Sequence, residues 1–325
     1  MYKLNFDNVL GRQSRYFYMG VAMLWIIGYH RWLSDMTFYN SSFKVFSHFF
    51  KFGYVGVDVF FFLSAFGLCH SYANCSLKSF YYKRFTRIIP LFVIYKLLIF
   101  VISAGGDFSE FLWHSLLQLT TLSVIQTPLT CPGNLYLDWF VPAILNMYII
   151  FPILFKMIKY LCTKRMRWHV LLLLCTFYGA HFIWGYIDGL YITRLPIIVT
   201  GIFTYFYLKH DDYKKCFLLY AIFAMQVFFI ERHNLMYSAP VPLILYGLSL
   251  SNFTMSEFLP FRMVKKIGEY SFEFFFSHNY AGFVSTTGSL WMNWIIFCCI
   301  TIVGAIILHY INKSLSDLLL KHIPQ

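Results

Sequence analysis

The chain has 325 residues, of which 59% are hydrophobic, 22% aromatic and only 12% charged. Soluble domains carry about 25% charged residues, so a water-soluble enzyme is excluded and an integral membrane protein is indicated. The formal charge of +12 does not indicate nucleic acid, because the basic residues cluster in short stretches between apolar segments, as in loops that face anionic lipid.

A bilayer span takes about 20 mainly apolar residues. On that measure the near-continuous apolar sequence from Tyr16 to Asn312 divides into ten predicted helices. In chain order they are 16–33, 54–72, 87–104, 138–158, 168–186, 190–208, 215–231, 235–250, 267–284 and 290–311. The segment 108–126 carries Glu110, His114 and Gln118 and reads as an extracytoplasmic or interfacial helix. No linker or low-complexity run separates these elements, so residues 1–325 are expected to form one all-α transmembrane domain. The run after Arg15 ends in HRWLSD without a small-residue cleavage site, and is expected to remain as the first helix. With only the tail SLSDLLLKHIPQ after the last window, no fused domain is expected, and the two halves share no visible similarity of the kind found in repeat-built transporters.

Orientation follows from the basic residues. With the N-terminus inside, twenty of the 26 Lys and Arg fall on inner segments. Five, namely Arg31, Lys44, Lys51, Arg194 and Arg232, fall on outer ones, and Lys96 lies within a helix. Both termini are therefore expected in the cytoplasm. The eight cysteines show no CxxC pair and no metal-like spacing with histidine, so no metal is expected. Cys69, Cys175, Cys298 and Cys299 lie in apolar segments and read as small buried hydrophobes.

Polar groups in hydrocarbon are costly, which makes each a candidate for function. His30 lies about 22 Å beyond Arg15 along the first helix, towards the outer side. Asp58, beside Phe60, Phe61 and Phe62 at the start of an oppositely directed helix, falls at a similar depth. A carboxylate there suits a partner that fixes the imidazole tautomer, or simply a helix cap. Three phenylalanines beside such a charge are expected to face lipid or to seal a pocket.

Arg84 and Arg87, three apart in FYYKRFTRIIP, share a helical face and suit either phosphate contacts or membrane anchoring. Lys96, about 13 Å further on, is expected to be neutralised, paired, with Glu273 as a possible partner, or stretched along the wall of a cavity as a donor-binding group. His278, near mid-membrane, lines the same cavity or bonds a neighbouring helix. Asp138 and Trp139 sit at the outer interface, where Asp138 is a helix cap or a ligand for a sugar hydroxyl.

Taken together, these stretches resemble the acyltransferase 3 family of membrane O-acyltransferases. The first helix ends in GYH, and GYVGVDVFFFLSAFG is similar to the family's GxxGVDxFFxLSGF. KRFTRIIP resembles its RxxRixP, WFVPAILNMYIIFP its fourth block and IGEYSFEFFFSHN its late (I/L)GxxSxxxYxxH block. The resemblance implies about ten membrane helices in a bacterial cytoplasmic membrane. It further implies transfer of an acetyl group from cytoplasmic acetyl-CoA to a glycan or lipid-linked sugar beyond the membrane.

By position, His30 becomes the family's first-helix histidine, Asp58 the acidic residue of GVD, and Arg84 and Arg87 the arginine pair. The sequence departs from the pattern where many members carry an arginine eleven residues before the histidine. Met19 stands there, and Arg15 lies one turn earlier on nearly the same face. Ala65 replaces the glycine after the serine of the second block. Without the resemblance, the helices and buried charges suit a transporter or flippase for a lipid-linked sugar or acyl donor equally well.

Overall fold

The computed structural model describes residues 10–34, 44–102, 107–120, 139–183, 194–229, 258–281 and 290–320, and every regular element among them is a helix. In chain order these are α1 (Arg12–Ser34), α2 (Lys44–Lys51), a 3-10 turn (Gly53–Val55), α3 (Gly56–Tyr72), α4 (Leu77–Ile102) and α5 (Phe108–Leu119). They continue with α6 (Phe140–Leu161), α7 (Met166–Ile183), α8 (Leu195–Lys209), α9 (Tyr213–Phe229), α10 (Leu259–Glu269), α11 (Ser271–Ala281) and α12 (Leu290–Leu320). Helix occupies nine of the ten predicted windows, and the window 235–250 lies outside the described residues.

Three stretches among the described residues, Gly53–Tyr72, Phe140–Leu161 and Met292–Leu319, are long and apolar enough to cross a bilayer. The molecule's outward faces are apolar too: Val101, Ile153, Ile295 and Ile307 are all more than half exposed. Such a surface aggregates in water and suits lipid as its solvent. The interior is aromatic, with Phe61, Phe62, Phe80, Phe92, Phe151, Phe203 and Phe276 almost fully buried.

Two elements differ from the sequence reading for identifiable reasons. Helix α4 starts at Leu77 rather than near residue 87, because Lys and Arg are good helix formers even where hydropathy falls. Arg84 and Arg87 thus both lie within the helix, on the shared face that their spacing predicts. Pro90 continues that helix but has no N–H for the carbonyl of Thr86; the hydroxyl of Ser316, from α12, donates to it at 3.4 Å. The predicted helix 267–284 is instead preceded by a further run from Leu259 and broken at Tyr270.

Helix α1 is the hub, packing against α3, α10 and α11, while α3 packs on α8 and α11 on α12. The α1–α10 seam is closed by glycines. A Cβ on Gly268 would stand 1.7 Å from the carbonyl oxygen of Tyr16, and one on Gly20 2.0 Å from that of Val264. Only hydrogen lets backbones approach so closely.

The short helix at 108 forms as expected. Asp107 caps it, accepting from the Ser109 amide at 2.8 Å, and Glu110 meets His114 at 3.6 Å one turn on. Cysteine burial is mixed: Cys69 is buried as expected, whereas Cys175, Cys298 and Cys299 are exposed on helix faces.

Candidate functional site: an arginine-lined cavity below a histidine pair

A narrow cavity of about 250 Å³ runs between α1, α3, α4, α6 and the α10–α11 segment. At one end four guanidiniums, Arg12, Arg15, Arg84 and Arg87, line it, and no carboxylate stands among the described residues of its wall. The walls then turn apolar through Met19, Met23, Leu63, Ile88 and Ile144, and reach Ile26, Val57, Phe140 and Phe275. One turn of α1 beyond Ile26 stands His30, and directly after Val57 comes Asp58.

The Nε atoms of both Arg15 and Arg84 are buried with no hydrogen-bond partner. Arg15 lies over the ring of Phe66 at 5.8 Å, and Arg84 over Phe80 at 5.8 Å. Gly67 makes room for the first of these, since a Cβ there would stand 2.3 Å from Nη1 of Arg15. Buried donors without acceptors are costly unless an anion completes them. Met19 and Arg15, one turn apart on α1, both line the cavity wall.

At the far end two imidazoles meet. The rings of His30 and His278 have centroids 5.0 Å apart and are tilted by 48°. Phe275 stands 5.6 Å from His278 and 4.5 Å from Phe140, so an aromatic layer separates the cavity from the pair. His30 is exposed, whereas Arg31 and Trp32 beside it are buried. The site therefore has a phosphate-suited end, an apolar throat and a titratable pair beyond it.

The partner expected for His30 is engaged elsewhere. Asp58 is 1% exposed, and Arg194 at the start of α8 reaches its two carboxylate oxygens at 2.8 and 3.0 Å. Arg194, read from sequence as an outer-side residue, is itself 3% exposed. A buried carboxylate demands a cation, and Arg194 was one of only five basic residues at matching depth; that was the available signal. Phe60, Phe61 and Phe62 are all buried in protein rather than lipid, and Phe60 lines the cavity.

Lys96 and Glu273 do not pair. Glu273 accepts from Asn312 at 3.2 Å and lies 3.4 Å from Nδ1 of His309. The ammonium of Lys96 lies over the rings of Phe92 and Tyr95, at 5.3 and 5.8 Å, outside the arginine-lined wall. Helical depth alone placed the two at one level but did not set which faces meet. Trp139 is half-buried and perpendicular to the Phe140 ring, while Asp138 lies outside the described residues.

A larger hollow of about 1320 Å³ lies across the α1–α10 seam, among Arg262, Lys265, Lys266 and the exposed Ile302 and Ile306. It shares only Arg12 and Tyr16 with the narrow cavity. It lacks Arg15, Arg84 and Arg87, which the narrow cavity gathers with Arg12, so the narrow cavity is the candidate site. No grouping of His, Cys, Asp and Glu suited to a metal ion occurs among the described residues.

A family model for acyltransferase 3, described as an acyltransferase domain, matches residues 20–310. No curated protein and no solved structure matches the chain.

Proposed function

The chain belongs to the acyltransferase 3 family, and from that premise we propose that it moves an acetyl group from cytoplasmic acetyl-CoA to a hydroxyl of an extracytoplasmic or lipid-linked glycan. The bundle then crosses the bacterial cytoplasmic membrane about ten times, with both termini inside. The observation that carries this reading is the cavity itself: four arginines at one end with no carboxylate among the described residues of the wall, an apolar throat, and His30 just beyond the other end.

The phosphates of CoA are bound by Arg12, Arg15, Arg84 and Arg87, whose forked N–H groups suit phosphate oxygens. The apolar throat takes the pantetheine arm and brings the thioester towards His30. There the imidazole either removes the proton of the acceptor hydroxyl, whose oxygen attacks the thioester carbonyl and expels the CoA thiolate, or first carries the acetyl group itself. In both routes the thiolate leaves on the side from which it came, and the glycan never enters the cytoplasm.

The decisive experiment supplies radiolabelled acetyl-CoA to native-membrane vesicles containing the protein. Wild type transfers label to glycan, and His30→Ala at normal abundance transfers none. Labelled glycan formed by His30→Ala overturns the assignment of His30. A flippase for a lipid-linked sugar would form no acetylated product in any arm.

A further inference from the structure

Acetyl-CoA reaches from a phosphate-bearing nucleotide to its thioester through a pantetheine arm that contains two amide groups. Drawn into an apolar throat, those amides lose their water, and an amide left without a hydrogen-bond partner costs free energy. A wall of hydrocarbon alone would therefore repel the arm. We propose that Ser64 and Ser271 are its polar seats: their hydroxyls hydrogen-bond the amides of the arm and so select pantetheine over a plain apolar chain. The inference rests on the reading of the narrow cavity as the CoA site.

Both serines line that cavity, one from α3 and one from the start of α11. Ser64 is half-buried although Leu63, Ala65 and Phe66 beside it are buried, and Ser271 is half-buried although Phe272, Glu273 and Phe274 after it are buried. The open surface of each is thus the surface it gives to the cavity. Elsewhere in the bundle buried hydroxyls are spent on backbone carbonyls. Thr200 donates to the carbonyl oxygen of Pro196 at 2.8 Å, and Ser277 to that of Thr301 at 2.8 Å. Ser64 and Ser271 have no such acceptor among the described residues. A hydroxyl both donates and accepts, so each can meet the N–H or the C=O of an amide.

Their place along the cavity is the one an arm needs. On α3 the wall passes through Phe60, Ser64 and Gly67, each about a turn from the next, and Gly67 is where the guanidinium of Arg15 packs. On α11 Ser271 stands one turn before Phe275, which forms the aromatic layer with Phe140 at 4.5 Å. The serines therefore lie between the arginines and the aromatic layer. The arm must occupy that stretch when its phosphates rest on the guanidiniums and its thioester points towards His30. The other hydroxyls of the wall belong to the phosphate end: Tyr16 accepts from Nε of Arg12 at 3.2 Å, and Tyr148 stands beside Arg84.

Equilibrium binding to the full-length protein, purified in detergent, separates the arm from the nucleotide. The probes are radiolabelled CoA and radiolabelled adenosine 3′,5′-bisphosphate, which keeps phosphates for the arginines and lacks the arm. In Ser64→Ala with Ser271→Ala we expect the Kd for CoA to rise by about 10-fold or more, and the Kd for the bisphosphate to stay within about twofold of wild type. Retained bisphosphate binding shows that the arginine end of the variant is folded. Arg84→Gln with Arg87→Gln, by contrast, weakens both probes.

A serine variant that binds CoA as wild type does, or that loses CoA and bisphosphate alike, overturns the assignment of the serines and leaves the cavity as the donor site. Wild-type protein that binds neither probe overturns the reading of the cavity itself, and the serine assignment falls with it.

Discussion

Asp58 shows how a residue can be legible in sequence while its partner is not. A carboxylate among phenylalanines announces itself as a buried charge, and its depth follows from the helix rise. The azimuth does not, and the cation that satisfies it comes from 136 residues away. Removing one member of a buried pair leaves an uncompensated charge and costs about 3–5 kcal/mol, whereas exchange of both for apolar groups of similar size is often neutral. Asp58→Leu alone is therefore expected to lose most folded protein, and Asp58→Leu with Arg194→Met to recover it. Detergent-extracted abundance and thermal midpoint measure this; a single variant as stable as wild type would show that the pair does not hold α3 to α8. At the cavity's other end, hydrogen bonds to charged groups are worth about 1.5–3 kcal/mol each. Arg84→Gln with Arg87→Gln should then raise the KM for acetyl-CoA by roughly 10- to 100-fold, and an unchanged KM rejects the donor site.

Helices were legible as apolar windows, but their ends and joints were not, because hydropathy reports the solvent and propensity reports the helix. Helix α4 begins ten residues before its apolar window, over Lys83, Arg84 and their neighbours, and this extension is what brings Arg84 into the cavity wall beside Arg87. The break at Tyr270 has no counterpart in the apolar pattern, although Gly268 just before it marks a place where two backbones meet. That seam separates the narrow cavity from the wider hollow, so its geometry sets the shape of the site. Gly268→Val must push α10 away from Tyr16, and overpacking of this kind costs about 1–3 kcal/mol or more. We expect a lower thermal midpoint and a raised KM for acetyl-CoA, because Arg15 and Tyr16 move with the wall. A Gly268→Val protein with wild-type stability would mean that α1 and α10 do not pack as closely as described.

At the scale of the whole molecule, the sequence carried the all-helical membrane character and the order of the motifs, yet the contact between the His30 and His278 rings was invisible, because 248 positions separate them in the chain. What the fold contributes is polarity of access. Arg87 is exposed at one end of the cavity and His30 is exposed beyond the other, and the proposed reaction needs these two ends to open on opposite sides of the membrane. Single cysteines test this directly, in a background from which the native exposed cysteines have been removed. Arg87→Cys is expected to react with a membrane-impermeant thiol reagent only in inside-out vesicles, and acetyl-CoA should slow that reaction by occupying the site. His30→Cys is expected to react only in right-side-out vesicles, with no protection from acetyl-CoA added on the opposite face. If both positions react from the same side, donor and acceptor share one compartment. Transfer across the membrane then fails as a mechanism even if the arginines still bind CoA and His30 still carries the chemistry.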